Sequence, residues 1–337
     1  MPRSKIVLEM LAFGALVVVV VFAPRFVSDF HARELGSVGI YFIALLGLAI
    51  LTGYSGQISL GHGAFMAIGG YTTAILSVDH GVRDLWTIPA GGAVAGVAGL
   101  LVGIPALRLS GLYLALVTFG IAVAFPQLLK KYEGFTGGTT GKILQLPHSE
   151  LGVHTTSNRW IFYLSWTIAL VLLAVAWVIV RGKPGRTLQA IRDSEVAAAS
   201  SGVNVSLYKT VAFGVSAFYA GVAGSLYAIS VFYVNPETFP ILLSVWLLVG
   251  LAVGGLGALG GLIAGSALVY YLQNHADTFA RWANHLPLVS LDPTQPGVPS
   301  IVLGAVLILV MLILPMGVGG FVRRALRPLT TRLYTRS

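Results

Sequence analysis

The feature that most constrains this chain is a succession of apolar runs close to the roughly 20 residues a helix needs to cross a bilayer. They fall at 6–23, 38–51, 58–78, 87–104, 112–129, 160–180, 211–234, 240–253, 259–273 and 299–315. Such a series predicts an all-α, polytopic membrane bundle of about ten spans, between eight and ten, forming one membrane-spanning unit over 1–337. The composition agrees: 56% of residues are apolar and 10% charged, with a mean hydropathy of +0.85. The 41 glycines suit helices that approach closely where lipid gives no hydrophobic drive between them. Cysteine is absent, which excludes disulfides, thiol catalysis and cysteine-ligated metals.

A net charge of +9 could point to nucleic acid, but its distribution does not. With the N-terminus inside, the segments on that face carry 13 of the 21 basic residues and two acids, Asp193 and Glu195. The opposite face carries 8 basic and 9 acidic residues. That asymmetry follows the positive-inside rule and reports orientation, with both termini cytoplasmic and no nucleic-acid partner.

The first run, with Lys5 and Glu9 at i,i+4, reads as a retained helix; an acid in its core and the lack of a small-x-small site argue against a cleaved signal. The second runs into Thr52–Phe65, TGYSGQISLGHGAF, where glycines break a segment that must stay near the membrane. Irregular backbone at that depth must be buried in protein or line a cavity. Gly56, Gln57, Ser59, Gly61, His62 and Phe65 are therefore the candidates for a translocation pathway; the alternative is a helix-packing seam with one hydrogen-bonded histidine. Gly91, Gly92, Gly96 and Gly99 give the fourth span a small-residue face, and Ser216, Ala220, Gly221, Gly224 and Ser225 give one to the seventh. Spans 2–5 and 7–10 would run as inverted copies, an arrangement common in transporters.

Glu133–Lys142, EGFTGGTTGK, imitates a phosphate loop but lacks Gly at Thr136 and Ser or Thr at Ile143. It reads instead as a structured external loop packing on the spans or touching a soluble partner. The segment 273–300 is external, with Arg281, Trp282 and His285 lending it interfacial character, and a basic tail occupies 316–337. The seven histidines show no i,i+4 pair, so no metal site is expected, and no cofactor.

The most informative polar stretch is Arg181–Tyr208, RGKPGRTLQAIRDSEVAAASSGVNVSLY. Pro184-Gly185 should break the incoming helix. Leu188, Ile191, Glu195 and Ala198 then share one helical stripe, Gly202 suits a C-terminal cap, and Asn204 can N-cap a second short helix. Two short helices held on the inner face make a stiff knob for docking, or else an ordinary re-entry loop.

Taken together, GYSGQISLGHGAFMAIGGYTTA (53–74), TGGTTG (136–141), GRTLQAIRDSEVAAASSGVN (185–204), FYAGVAGSLYA (218–228) and GGLGALGG (254–261) resemble permease subunits of branched-chain amino-acid ABC importers, the LivM type. The resemblance implies that 181–210 is the loop that docks on an ATPase, through Gly185, Arg186, Ala190, Arg192, Asp193, Glu195, Ala197, Ala198 and Gly202. It implies a bacterial inner-membrane assembly with two ABC ATPase subunits, a second permease, an extracytoplasmic substrate-binding protein and membrane lipid around them. The permease itself would not be an enzyme, since ATP hydrolysis belongs to its partners. Ala258 and Leu262 depart from the usual Thr or Ser and Pro of the glycine turn, and Thr140 from the usual Asp or Asn. Those departures bear on the solute: related permeases carry urea, short amides or sugars. An ATP-independent carrier is the competing class, and a membrane enzyme would need clustered polar groups that the sequence lacks.

Overall fold

A computed structural model describes residues 3–106, 111–145 and 155–275, with Gly304, Ile308, Leu312, Gly317 and Gly320 beyond them; side chains are described from Phe13 onward. Nine helices coincide with nine of the expected spans: α1 (Arg3–Phe26), α2 (Asp29–Leu48), α3 (His62–Val78), α4 (Asp84–Ala106), α5 (Leu112–Lys131), then, after the single turn α6 (Glu133–Thr136), α7 (Ser157–Arg181). Two short helices follow, α8 (Lys183–Asp193) and α9 (Glu195–Ser200), and then α10 (Val205–Val231), α11 (Ile241–Gly254) and α12 (Leu262–Asn274). The expected tenth span at 299–315, the rest of the 273–300 segment and most of the basic tail lie outside the described residues, as do the side chains of Lys5 and Glu9.

Among the described residues, five helical stretches are by length and composition able to cross a membrane: 29–54, 84–105, 112–131, 157–181 and 205–231. Burial sorts them into layers. A helix that is apolar all round must be enclosed by protein or by lipid. In α2 and α10, 89% and 83% of the most apolar window is buried inside the protein, whereas α5 and α7 bury 28% and 33%. So α2 and α10 form the axis, and α5 and α7 present their sides outward.

Glycine sets the spacing around that axis. The backbones of α3, α4 and α10 meet at Gly69, Gly91 and Gly221: a methyl built on Gly69 would lie 2.0 Å from the Gly221 carbonyl oxygen. One on Gly224 would lie 1.9 Å from that of Met66. Gly92 and Gly99 close on Val222 and Ala217, so the small-residue faces of α4 and α10 do pack on one another. The same device joins α11 to α12, where a methyl on Gly265 would meet the Gly250 carbonyl at 2.1 Å. Ser225 Oγ donates to the Gly69 carbonyl at 3.1 Å across the α3–α10 contact.

Several boundaries depart from expectation. Helix α2 begins at Asp29, not near 38, because Ser28 caps it and the charged turns Asp29–Glu34 stay helical above the apolar run. Glu34 is buried there, with its carboxylate 3.3 Å from His275 Nε2. Helix α3 begins at His62, not 58, since 55–61 is not helical. The TGGTTG stretch is a structured loop: Gly137, Gly138 and Gly141 have positive φ. Thr136 Oγ1 donates to the Leu129 carbonyl at 2.6 Å. Its Lys142–Ile143 strand (β1) pairs antiparallel with Tyr233–Val234 (β2).

Candidate functional site

The end of the bundle formed by the close of α2, the α8–α9 pair and the α11–α12 turn gathers three sequence motifs that lie far apart in the chain. It is built from local rules. At Gly182 the backbone turns extended, ending α7; the helix break is thus two residues before the expected Pro184, which sits in the first turn of α8, where a missing N–H costs nothing. Gly185 lies flush against α7, with a methyl there 2.0 Å from the Val180 carbonyl oxygen. The expected single helix through Ala198 is in fact two. Ser194 adopts an extended conformation and caps α9 with its side chain, accepting from the Ala197 N–H at 3.2 Å.

The consequence for the stripe is clear. Leu188, Ile191 and Ala198 are buried under the knob, but Glu195 turns outward and pairs with Lys209. Gly202, at φ +83°, ends α9, and the N–H groups of Gly202 and Val203 bond back to the Ala199 and Ala198 carbonyls. Asn204 caps the long α10 itself, not a further short helix, by accepting from the Leu207 N–H at 3.0 Å. Arg186, Ala190, Arg192, Asp193 and Ala197 are exposed, as is Val196. Small apolar side chains and charges of both signs therefore cover a face whose backbone is fixed by two caps.

Beneath that face lies the glycine-broken stretch. Helix α2 continues past Leu48 as a π-helical turn, Ala49–Tyr54, whose wide winding delivers Ser55 N–H to the Ile50 carbonyl. Arg192 Nη1 donates to the Gly53 carbonyl at 2.7 Å. Gly56, at φ +74°, lets the chain turn directly under the Arg192 stem; a methyl there would lie 2.7 Å from Cγ. From the other side, Tyr54 Oη donates to the Gly257 carbonyl at 3.3 Å, and a methyl on Gly53 would meet the Leu256 carbonyl at 2.2 Å. Gly317 packs on Gly255 in the same region.

The six sequence candidates in this stretch are all enclosed except Gly56. Gln57 Nε2 donates to Ser55 Oγ at 2.6 Å and to the Lys209 carbonyl at 3.4 Å. Ser59 Oγ accepts from the Gly61 N–H at 3.3 Å. His62 Nε2 donates to the Ala44 carbonyl at 2.9 Å. Phe65 packs edge-on against Phe213 of α10, with ring centres 5.8 Å apart. Thus Gln57 touches the same lysine that Glu195 holds, and the knob and the broken segment form one hydrogen-bonded unit. Sequence reasoning did not find Lys209, Tyr54 or Gly257; they meet only through tertiary contact. Among the described residues no group of three or more metal-ligating side chains comes together.

Fold and site together define a membrane-spanning helical protein with a capped helical knob bonded to a break in its central helix. The chain belongs to the branched-chain amino acid transport system / permease component family, whose model matches residues 32–311. It is 35% identical over 280 residues to the high-affinity branched-chain amino acid transport system permease protein LivM of Salmonella typhimurium, covering 76% of this chain and 65% of that protein. The same figures hold for the LivM protein of Escherichia coli strain K12. The match to these relatives therefore spans less than two thirds of their length. The autoinducer 2 import system permease protein LsrC of Klebsiella pneumoniae is 29% identical over 194 residues, 56% of this chain and 52% of that one. No solved structure matches the chain.

Proposed function

We propose that this chain is the membrane-spanning permease subunit of an ATP-driven importer of branched-chain amino acids in a bacterial inner membrane. In this reading the knob end is cytoplasmic, as are both termini, and α8–α9 dock on one of two ATPase subunits. A second permease completes the conduit, and an extracytoplasmic binding protein delivers the solute at the opposite end. The likeness to two permeases of branched-chain amino acid systems supports the solute. The observation that carries the mechanism is the Arg192–Gly53 bond. A push on the knob reaches the π-helical turn of α2 directly, because the guanidinium holds a backbone carbonyl rather than a mobile side chain. Gly56–Phe65 then lies where that push is received and forms the inner part of the pathway.

The likeness to the autoinducer 2 permease supports a second reading, import of another small polar solute on the same frame. One reconstitution separates the two. The complex of this chain with its ATPases, partner permease and binding protein in liposomes should accumulate L-leucine only with ATP inside the ATPase-facing compartment. Uptake of urea or a sugar instead would move the solute assignment, and leucine uptake by the isolated chain would refute the ATP-driven class.

A further inference from the structure

Among the described residues, two side-chain bonds tie the α8–α9 knob to the rest of the bundle, and they go to different helices. From α8, Arg192 holds the Gly53 carbonyl in the turn that closes α2. From α9, the Glu195 carboxylate takes the ammonium of Lys209, in the second turn of α10. Between these two bonds the knob has a joint. The Ser194 N–H bonds to the Ala190 carbonyl and ends α8, while its own carbonyl accepts from the Ala198 N–H and its hydroxyl caps α9. One extended residue, at φ −161° and ψ 111°, thus joins the two helices.

The bonds close into a ring. Gln57 Nε2 donates to the Lys209 carbonyl at 3.4 Å. The turn that carries Gln57 is itself shut, since the Gln57 N–H bonds to the Leu51 carbonyl at 3.2 Å and Thr52 Oγ1 donates to the Gln57 carbonyl at 3.0 Å. So α8 holds the turn through Arg192, the turn holds α10 through Gln57, α10 holds α9 through Lys209, and Ser194 leads back to α8. The ring closes on Lys209, with its carbonyl toward the turn and its ammonium toward α9. Its members are unequal. The Arg192 bond is charge-assisted at 2.7 Å and the Lys209–Glu195 pair is ionic, whereas the Gln57 bond lies at the long end of the hydrogen-bonding range. A change of angle at Ser194 is accordingly taken up where the ring is weakest, between Gln57 and α10.

Stability does not account for the lysine. Its side chain is 8% exposed and that of Glu195 50%. Burying an ammonium is costly even when it is paired, and an apolar side chain of similar length would hold the same site at equal or better stability. We propose that Lys209 is a positioning residue for transport: it keeps α9 on α10, so that a docked partner bending the knob at Ser194 parts the turn closing α2 from α10 at Gln57. This rests on the docking reading above and refines it. The knob acts as two jointed halves, each on a different helix, and Glu195 is an internal anchor, not a contact with the ATPase.

The chain has no cysteine, and Ile58, next to Gln57, is 40% exposed, so Ile58→Cys reports on the turn. The complete complex in nanodiscs is treated with 2-aminoethyl methanethiosulfonate, without nucleotide and then trapped with ATP and vanadate. The modification rate should differ about tenfold between the two states, as for a two-state shift driven by nucleotide. Lys209→Met should bring that ratio within about twofold; it strands no buried charge, because Glu195 is half exposed. Lys209→Arg, bulkier but charged, should keep the response, whereas a packing role would favour methionine over arginine. Gln57→Leu cuts the ring on its other side and should leave Ile58→Cys equally reactive in both states; it decides alone should Lys209→Met fail to assemble. An undiminished response in Lys209→Met or Gln57→Leu, or no response in an otherwise unchanged complex that still imports leucine, overturns the linkage and leaves the importer reading standing. A Lys209-dependent response in a complex that imports no leucine supports the linkage and sinks the leucine assignment.

Discussion

Replacing Arg192 by methionine removes the guanidinium's bond to the Gly53 carbonyl and its exposed pair with Asp193. The methionine stem still covers Gly56, so the packing beneath the knob is preserved. The loss that matters is the 2.7 Å charge-assisted bond to the Gly53 carbonyl. Such bonds contribute about 1.5–3 kcal/mol when shielded. The Arg192 side chain is 42% exposed, so water recovers part of that, and we work with about 1.5 kcal/mol, or roughly tenfold in the coupling between the two sites. In liposomes holding the complete complex, solute imported per ATP hydrolysed should fall about tenfold while assembly and basal ATP hydrolysis persist. Asp193→Asn removes the same exposed pair, worth about 0–1 kcal/mol, and whatever loss it causes is subtracted before the rest is assigned to the Gly53 bond. An unchanged ratio in the Arg192→Met complex would show that the knob transmits nothing through α2, and the proposed mechanism would fail.

Two further outcomes test the knob and the axis. Gly202→Pro deletes the N–H that closes α9 on Ala199, and Glu195→Arg sets a second cation against Lys209; each should leave membrane insertion intact yet reduce uptake per ATP, and normal transport by both variants would refute a docking role. Gly224→Leu forces a side chain into the Met66 carbonyl, an overpacking of at least about 3 kcal/mol, and should lower the unfolding temperature in detergent well below that of Gly120→Leu on the open side of α5, where nothing lies within 4 Å of the added methyl.

The helical class was readable because apolar runs near bilayer length have few other uses. The edges were less so. Asp29, Arg33 and Glu34 lie before the expected 38–51 span, yet they belong to α2, since its start is fixed by the Ser28 cap and Glu34 finds His275 more than two hundred residues away. Similarly, a helical stripe from Leu188 to Ala198 fits the pattern, but one capping serine broke it; periodicity cannot register a cap whose side chain also suits a surface position. The knob and the broken stretch were each legible alone. Their bond was not, because Arg192 and Gly53 are joined by packing of the whole bundle.

The contacts at Gly69, Gly91, Gly221 and Gly224 have a mechanical consequence. Main chain rests on main chain there, with only the Ser225 hydroxyl and the Ala95 methyl in reach and no long side chain between to change rotamer. Helices α3, α4 and α10 are therefore bound to travel as a single rigid body, since close-packed interiors shift between discrete arrangements and do not deform smoothly. The turn closing α2 and the glycine reversal between α11 and α12 are tied in the same way, by the Gly53–Leu256 approach and the Tyr54–Gly257 bond, and so form a second unit beside the first. Under the proposed permease function, relative motion falls between these two units, and a substitution there should change its amplitude without loosening either.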